Sequence, residues 1–334
     1  MGLRLTEVDE GTHDVGSDPS WNESRYVDFW DSSRRIGGWL RIGMRPNEGR
    51  AEVTACVYLP HGRTAFAFRR APIDGNGLSA GGQSWEVVEP FERNRVRFDG
   101  DAMLLTDPWL LTDPAAARAS SRVAPCSLEL DVTSRGLAGV MGADQDDIGR
   151  IFLPGQADLH YQHLAWTTGQ VRVGDTTYEV DGAGGRDHSW GARNWLAKIY
   201  LRWHTCVLED GTGFMLMRAV GPTKQTRSGH VWSDGRFHLV DDFSMRNHYD
   251  EGPYYALRHV ELTIRAAGRV WTATGTPATW LPLRHRHTEA DGSTQLLRIV
   301  KSPTDWVWGD GRVGAGAVEY HDRMESGVPV GLHD

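Results

Sequence analysis

The sequence predicts an all-β protein of antiparallel strands arranged in barrels or sandwiches. Three observations predict it. Short runs of alternating apolar and polar residues recur along almost the whole chain, Asp-Gly turn signals such as Asp210-Gly211 and Asp234-Gly235 separate several of them, and no long amphipathic helical period intervenes. Fourteen tryptophans and 39 glycines fit short strands around a broad aromatic interior. A length of 334 residues points to two domains, since one domain accounts for roughly 150 residues.

Taken in order, residues 1 to about 20 read as a loose tail, and Asp18-Pro19-Ser20-Trp21 opens the ordered part. Gly38 to Met44 and Ala51 to Leu59 alternate around the turn Arg45-Pro46-Asn47-Glu48-Gly49, and Arg63 to Arg70 follows the turn Pro60-His61-Gly62. Ser84 to Pro90, Arg93 to Phe98 and Ala102 to Leu105 read as three short strands, Pro114 to Arg122 as one helical turn or a surface loop, and Ser127 to Thr133 as a strand. Gly136 to Gly155 reads as a long acidic loop; its Asp144, Asp146 and Asp147 lack the glycine and closing glutamate of a calcium loop. Val171 to Val180 and Lys198 to Leu208 alternate, Phe214 to Val220 pairs back through Asp210-Gly211, and the hairpin rhythm repeats to Ala315–Tyr320.

Bulk properties narrow the function. With 36 basic and 44 acidic residues the net charge is −8, which argues against nucleic acid or an anionic membrane as partner. No apolar run approaches the ~18 residues of a membrane span, the first residues lack the apolar core of a signal peptide, and a cytoplasmic location is expected. Cys56, Cys126 and Cys206 are widely spaced and read as reduced, buried thiols. Gly75, Gly77 and Gly81 are misspaced for a dinucleotide loop, there is no G-x-S-x-G elbow, and arginines flank His285 and His287. No cofactor and no metal are expected.

One stretch concentrates the chemistry: Gly184-Gly185-Arg186-Asp187-His188-Ser189-Trp190-Gly191-Ala192-Arg193-Asn194-Trp195. It reads as the link between two strands or the end of one. In an extended backbone His188 and Trp190 project from one face, Asp187 and Ser189 from the other. His188 titrates near neutrality in its ordinary state and suits general acid/base work, and the Trp190 indole suits a developing cation. The bland readings are a hydrogen-bonded structural histidine and core filling. Asp187 and Arg193 read first as a buried ion pair or charged hydrogen bonds fixing the linker between the domains. On the next strand Tyr200, Arg202 and His204 share one face and Leu201, Trp203 and Thr205 the other; one of these faces must line the second domain. Tyr200 and His204 are candidates for a second acid/base.

The run from Gly185 to Gly191 with Arg193 resembles the signature of the carotenoid 1,2-hydratase (hydroxyneurosporene synthase) and AttH-like superfamily. Arg202-Trp203-His204, Gly314 to Tyr320 and the opening Ser20 to Tyr26 are also similar to members of it. The resemblance implies tandem lipocalin-like β-barrels, an architecture shared with fungal polyketide Diels–Alderases. It divides the chain into an N-terminal barrel, 1–183, and a C-terminal barrel, 184–334, with the motif at its start. It further implies a catalytic set containing His188 and Trp190. The hydratases' downstream Tyr-x-Asp is not found at its usual distance, where Gly213-Phe214-Met215-Leu216-Met217 stands. The resulting expectation is a cofactor-independent hydratase, dehydratase or cyclase of a hydrophobic, isoprenoid-like alkene; the alternatives are a pericyclase and a lipid or terpene carrier. The expected catalytic residues are Asp187, His188, Trp190, Tyr200 and His204, and the expected substrate-binding residues are Tyr161, Arg193, Trp195 and Trp203.

Overall fold

The computed structural model describes residues 5–74, 77–142, 151–155, 157–288, 292 and 294–333. Its first sheet holds β1 (Glu23–Asp31), β2 (Ile36–Arg45), β3 (Arg50–Tyr58), β4 (Thr64–Ala71), β5 (Ser79–Ala80), β6 (Gln83–Glu89), β7 (Arg93–Leu105), β8 (Arg122–Ser134), β9 (Leu159–Val173) and β10 (Thr176–Trp190). Neighbours run in the order β4-β3-β2-β1-β10-β9-β8-β7-β6-β5, and a β4–β7 pairing closes eight of them into a ring. The second sheet holds β11 (Tyr200–Leu208), β12 (Gly213–Val220), β13 (Gln225–Ser233), β14 (Arg236–Tyr249), β15 (Leu257–Ala266), β16 (Arg269–Pro277), β17 (Leu281–Thr288), β18 (Thr294–Trp308), β19 (Val313–Glu325) and β20 (Val328–Pro329). There a β18–β19 pairing closes the ring from β18 through β16 and back along β11 to β19. The fold is all-β, as the strand rhythm predicted, with two antiparallel barrels in tandem.

Three of the four apolar clusters among the described residues follow from the two-residue period of the strands. Val27, Phe29, Leu40, Val53, Phe98, Leu128 and Val171 fill the first barrel. Phe214, Leu216, Phe243, Leu262, Trp306 and Trp308 fill the second. The third cluster uses the opposite faces of both sheets: Tyr26, Trp30, Trp39 and Phe66 meet Leu201, Trp203, Val207 and Met217 at the seam between the barrels. Trp30 Nε1 donates to Asp305 at 2.7 Å across this seam. Gly185 lies against it too; a Cβ there would sit 3.2 Å from a methyl of Thr205 and 3.3 Å from Met215, so the missing side chain lets the barrels approach.

Several boundaries differ from the sequence expectation. Val171 to Val180 is no single strand: Gly174, with φ of +59°, turns the chain between β9 and β10. The central motif therefore closes β10 of the first barrel, and the second barrel begins at Tyr200, after a linker. Arg93–Leu105 is continuous where two short strands were expected, and Pro114–Ser120 forms one short helix, α1, capped by the Asp113 carboxylate on Ala115 N at 3.0 Å. Asp144, Asp146 and Asp147 lie outside the described residues. Cys56, Cys126 and Cys206 are buried and unpaired. Among the described residues no helix is long and apolar enough to cross a membrane.

The largest difference is the amino-terminal segment. Leu5 is buried and Glu7–Glu10 forms a 3-10 turn that carries Glu10 into the first barrel, where it is 1% exposed. Its carboxylate accepts from Arg186 Nη1 at 2.9 Å and from the Tyr161 hydroxyl. Burial opposes ionisation of Glu10, but Arg186 and Tyr161 outweigh it and hold the carboxyl down at about 2. A buried guanidinium without its partner is strongly unfavourable. Glu10→Ala should therefore lower the unfolding free energy by about 3–5 kcal/mol in denaturant titrations. A change below about 1 kcal/mol would show that the segment only decorates the barrel.

Candidate active site

A cavity of about 800 Å³ opens between the two barrels. Its aromatic and apolar wall includes Tyr26, Trp39, Phe66, Phe152, Trp195, Leu201, Trp203 and Met217. Strand alternation brings these residues there: on β1, Val27 and Phe29 enter the barrel while Tyr26 turns outward, and on β11 Leu201 and Trp203 turn outward while Arg202 and His204 enter the second barrel. The ligand-sized space is thus at the seam, not inside either barrel.

The same rule sorts the central motif. Asp187 lines the cavity, and so do Arg193, Trp195 and Trp203. His188 and Trp190 do not; they occupy the opposite face of β10, as does Tyr161 on β9, which pairs with His188 across the ladder. The face pairing expected from sequence is correct, but the face turned to the cavity is the one carrying Asp187. Tyr200 is also outside the cavity, with its hydroxyl 3.2 Å from Arg218 Nη2. His204 lies wholly buried in the second barrel with Nε2 3.1 Å from the Tyr320 hydroxyl, and burial pushes its imidazole down to about 3.

His188 is fully buried in a hydrogen-bonded cluster. Glu23 Oε1 accepts from His188 Nε2 and from His13 Nδ1, each at 2.9 Å. His188 Nδ1 lies 3.4 Å from Arg25 Nη1 and 3.1 Å from the Tyr161 hydroxyl, so the cluster fits a neutral ring with its proton on Nε2. Burial, reinforced by Arg25, lowers the imidazole to about 4 despite Glu23. The His13 ring stacks on Trp190 with centroids 3.6 Å apart. His13, Glu23 and His188 also bring three ligand-type atoms within 4.8 Å of one another, but Arg25 beside His188 opposes a cation there. This trio was invisible in sequence because His13 belongs to the segment read as a tail. The His287 side chain is outside the described residues.

Among the polar groups that face the cavity, two sets bring an acid and a base together. Asp187 Oδ1 lies 3.6 Å from His160 Nε2, whose ring stacks on Phe152 at 4.4 Å. Gln162 joins them, 3.3 Å from His160 Nε2 and accepting from Trp203 Nε1 at 3.3 Å. Burial alone would raise the Asp187 carboxyl; His160, Arg193 and Lys301 reverse that and hold it low. The second set is Lys301, Glu319 and His321, in which Glu319 bridges the lysine and the imidazole. Lys301 Nζ lies 4.2 Å from the Tyr26 ring centroid and 5.0 Å from that of Trp39. Burial drives its ammonium down from the ordinary lysine value toward neutrality, against the pull of Asp28 and Asp187. His160 could have been found from its alternate spacing with Gln162; Lys198, Lys301, Glu319 and His321 carry no local sequence signal.

The family model described as Domain of unknown function (DUF7064) matches residues 6–324, and the chain belongs to that family. No curated protein matches it. Among solved structures it is similar to a Nitrosomonas europaea protein provisionally described as AttH, with 14% identity, 96% of each chain covered and a TM-score of 0.61. It is also similar to CghA, at 13% identity and a TM-score of 0.55, with 98% of this chain and 97% of that one covered. For CghA with Sch210972 the TM-score is 0.54, at the same identity and coverage. At such identities the likeness is one of fold: the tandem-barrel architecture of the AttH-like structures.

The buried histidines make acid stability a direct check. His188 is held at about 4, and His204 and His230 at about 3, whereas unfolded imidazoles sit near 6.5. Between pH 6.5 and 4 the unfolded chain thus binds more protons, so stability falls as pH falls through that window. Glu10 and Glu23, held at about 2, extend the loss below pH 4.5. Melting temperature measured across pH 4–6.5 should drop less steeply in His188→Gln than in the parent protein. Parallel curves would contradict the assignment.

Proposed function

We propose that this DUF7064-family protein is an enzyme that adds water to, removes water from, or cyclises a hydrophobic alkene held in the cavity between its barrels. The observation that carries the reading is the pairing, in one aromatic-walled space of about 800 Å³, of two separate proton-handling sets, Asp187–His160 and Lys301–Glu319. Such a volume suits a molecule of isoprenoid or polyketide size. The CghA structure with Sch210972 supports a small-molecule occupant for this architecture.

In the hydration direction the Asp187–His160 pair takes a proton from water as its oxygen bonds to one alkene carbon. The Lys301 ammonium gives a proton to the other carbon. The substrate gains one water, and one proton passes from Lys301 to His160, to be returned through solvent. Dehydration is the reverse, and cyclisation replaces the water oxygen by a second alkene carbon. Positive charge arising at carbon faces Tyr26 and Trp39, the rings that already hold the Lys301 ammonium, an attraction of roughly 0.5–2 kcal/mol. A lysine lowered toward neutrality is a useful acid and base at neutral pH.

This reading moves the chemistry from His188 and Trp190 to Asp187, His160 and Lys301. His188 and Tyr161 keep β10 in place, and Arg193, Trp195 and Trp203 bind substrate. A carotenoid-hydratase-type reaction is one member of the class. A pericyclase would use the same cavity by shape alone.

Native mass spectrometry of protein purified from its producing cell identifies the resident small molecule, and chromatography follows its conversion. A product differing by one water, or an isomer of equal mass, is expected. Asp187→Asn and Lys301→Met should each slow conversion roughly 10²–10⁴-fold, with ligand affinity changed only several-fold. Rates insensitive to pH and to both substitutions would favour the pericyclase, and recovery of unaltered ligand would favour a carrier.

A further inference from the structure

The linker between the barrels carries a charge imbalance that the proposed reaction does not use. Three cations converge on the Trp195 indole: the Arg193 guanidinium 4.5 Å from the ring centroid, Lys198 Nζ at 5.1 Å and the Arg41 guanidinium at 5.4 Å. All four residues line the cavity. Lys198 is 4% exposed, and among the described residues its ammonium has no hydrogen bond or ion pair. Arg41 likewise has none, and the Arg193 side chain donates only to the neutral Ser189 hydroxyl, at 3.0 Å.

Three of the four carboxylates that line the cavity have other partners. Glu52 accepts from Arg50 at 2.7 Å, Glu319 holds Lys301 and His321, and Asp187 faces His160. Glu52 also opposes Arg41, and Asp187 opposes Arg193 and Arg41, but two carboxylates with other partners of their own do not balance three cations. Burial lowers Lys198 well below an ordinary lysine, with Arg193 and Lys301 adding to it, and lowers Arg193 to about 10, with Arg41 adding. Folding thus holds like charges together in a poorly solvated corner. That is costly unless something negative completes it.

We infer that the Trp195 corner, formed by Arg41, Arg193 and Lys198, is a subsite for an anionic oxygen group, a carboxylate or enolate, on an otherwise apolar ligand. This rests on the reading of the cavity as a ligand site and names the substrate class within it. The arginines supply planar donor pairs suited to two oxygens, and Lys198 supplies a point charge. The aromatic wall takes the apolar remainder, with the Asp187–His160 and Lys301–Glu319 sets between.

Two dyes sharing one aromatic framework test the subsite by fluorescence titration: 1-anilinonaphthalene-8-sulfonate, which carries an anion, and N-phenyl-1-naphthylamine, which does not. The sulfonate should bind at least tenfold more tightly than the neutral dye. Lys198→Met and Arg193→Gln should each weaken it about 10- to 100-fold, as expected for loss of one charge-assisted hydrogen bond, and leave the neutral dye within about twofold. Both variants should fold, and Lys198→Met should melt above the parent protein, because it deletes an uncompensated buried charge. Equal affinity of the two dyes, or variants that weaken both alike, would overturn the anionic subsite while leaving the cavity as a ligand site. Binding of neither dye would overturn both readings.

Discussion

The organisation of this protein depends on the two-residue period of a single strand. β10 belongs to the wall between the interior of the first barrel and the cavity at the seam, so each of its side chains must enter one or the other. Arg186 and His188 go inward and Asp187 goes to the cavity. The inward Arg186 obtains its counter-charge from Glu10, and the neutral His188 ring obtains a hydrogen-bond acceptor in Glu23; the outward Asp187 faces His160. A slip of one residue in the β9–β10 register would place an imidazole in the cavity and an aspartate in the barrel, and would strip both charge networks at once.

Buried charge is handled differently on the two sides of this wall. Inside the barrels it is paired or hydrogen-bonded: Glu10 with Arg186, Glu23 accepting from the His188 and His13 rings, and in the second barrel Arg202 with Asp322 at 2.8 Å. These pairs fix position and lose much if one partner is removed. Facing the cavity, charge is left less complete, with lysines and arginines crowded near aromatic faces and pushed away from their ordinary ionisation. A folded protein tolerates such incompleteness where ligand or transition state completes it. The contrast between a closed network around His188 and an open one around Trp195 is why we propose the seam as the place of the chemistry.

Much of the architecture was legible in the sequence because barrels are written in local signals. The Asp210-Gly211 and Asp234-Gly235 turns, the alternation along β11 and β12, and the glycine-fenced segment from Gly184 to Trp195 each carry their physical cause within a few residues. Alternation also separated Asp187 from His188 correctly. Which face looks at a hollow was not legible, because that is decided by the other barrel, and both faces of β10 are buried. A run with polar residues near the terminus looked solvated, although Glu10 neutralises an arginine 176 residues away in the chain. Lys198 and Lys301 were silent for a similar reason: a lone lysine in a strand or linker becomes unusual only when its surroundings are assembled. The break between β9 and β10 was hidden by alternation that happens to continue through the Gly174 turn.

The proposed chemistry requires that ligand meet the Asp187 face of β10 and not the His188 face. Nitrogen-15 spectra of protein labelled at its histidine rings test this directly, read before and after saturation with 1-anilinonaphthalene-8-sulfonate. The His160 ring resonances should move on addition of the dye, while those of His188 should stay fixed and keep the pattern of a neutral ring with its proton on Nε2 from pH 8 to pH 5. Movement of the His188 signals with His160 unaffected would place the ligand inside the first barrel and contradict the account.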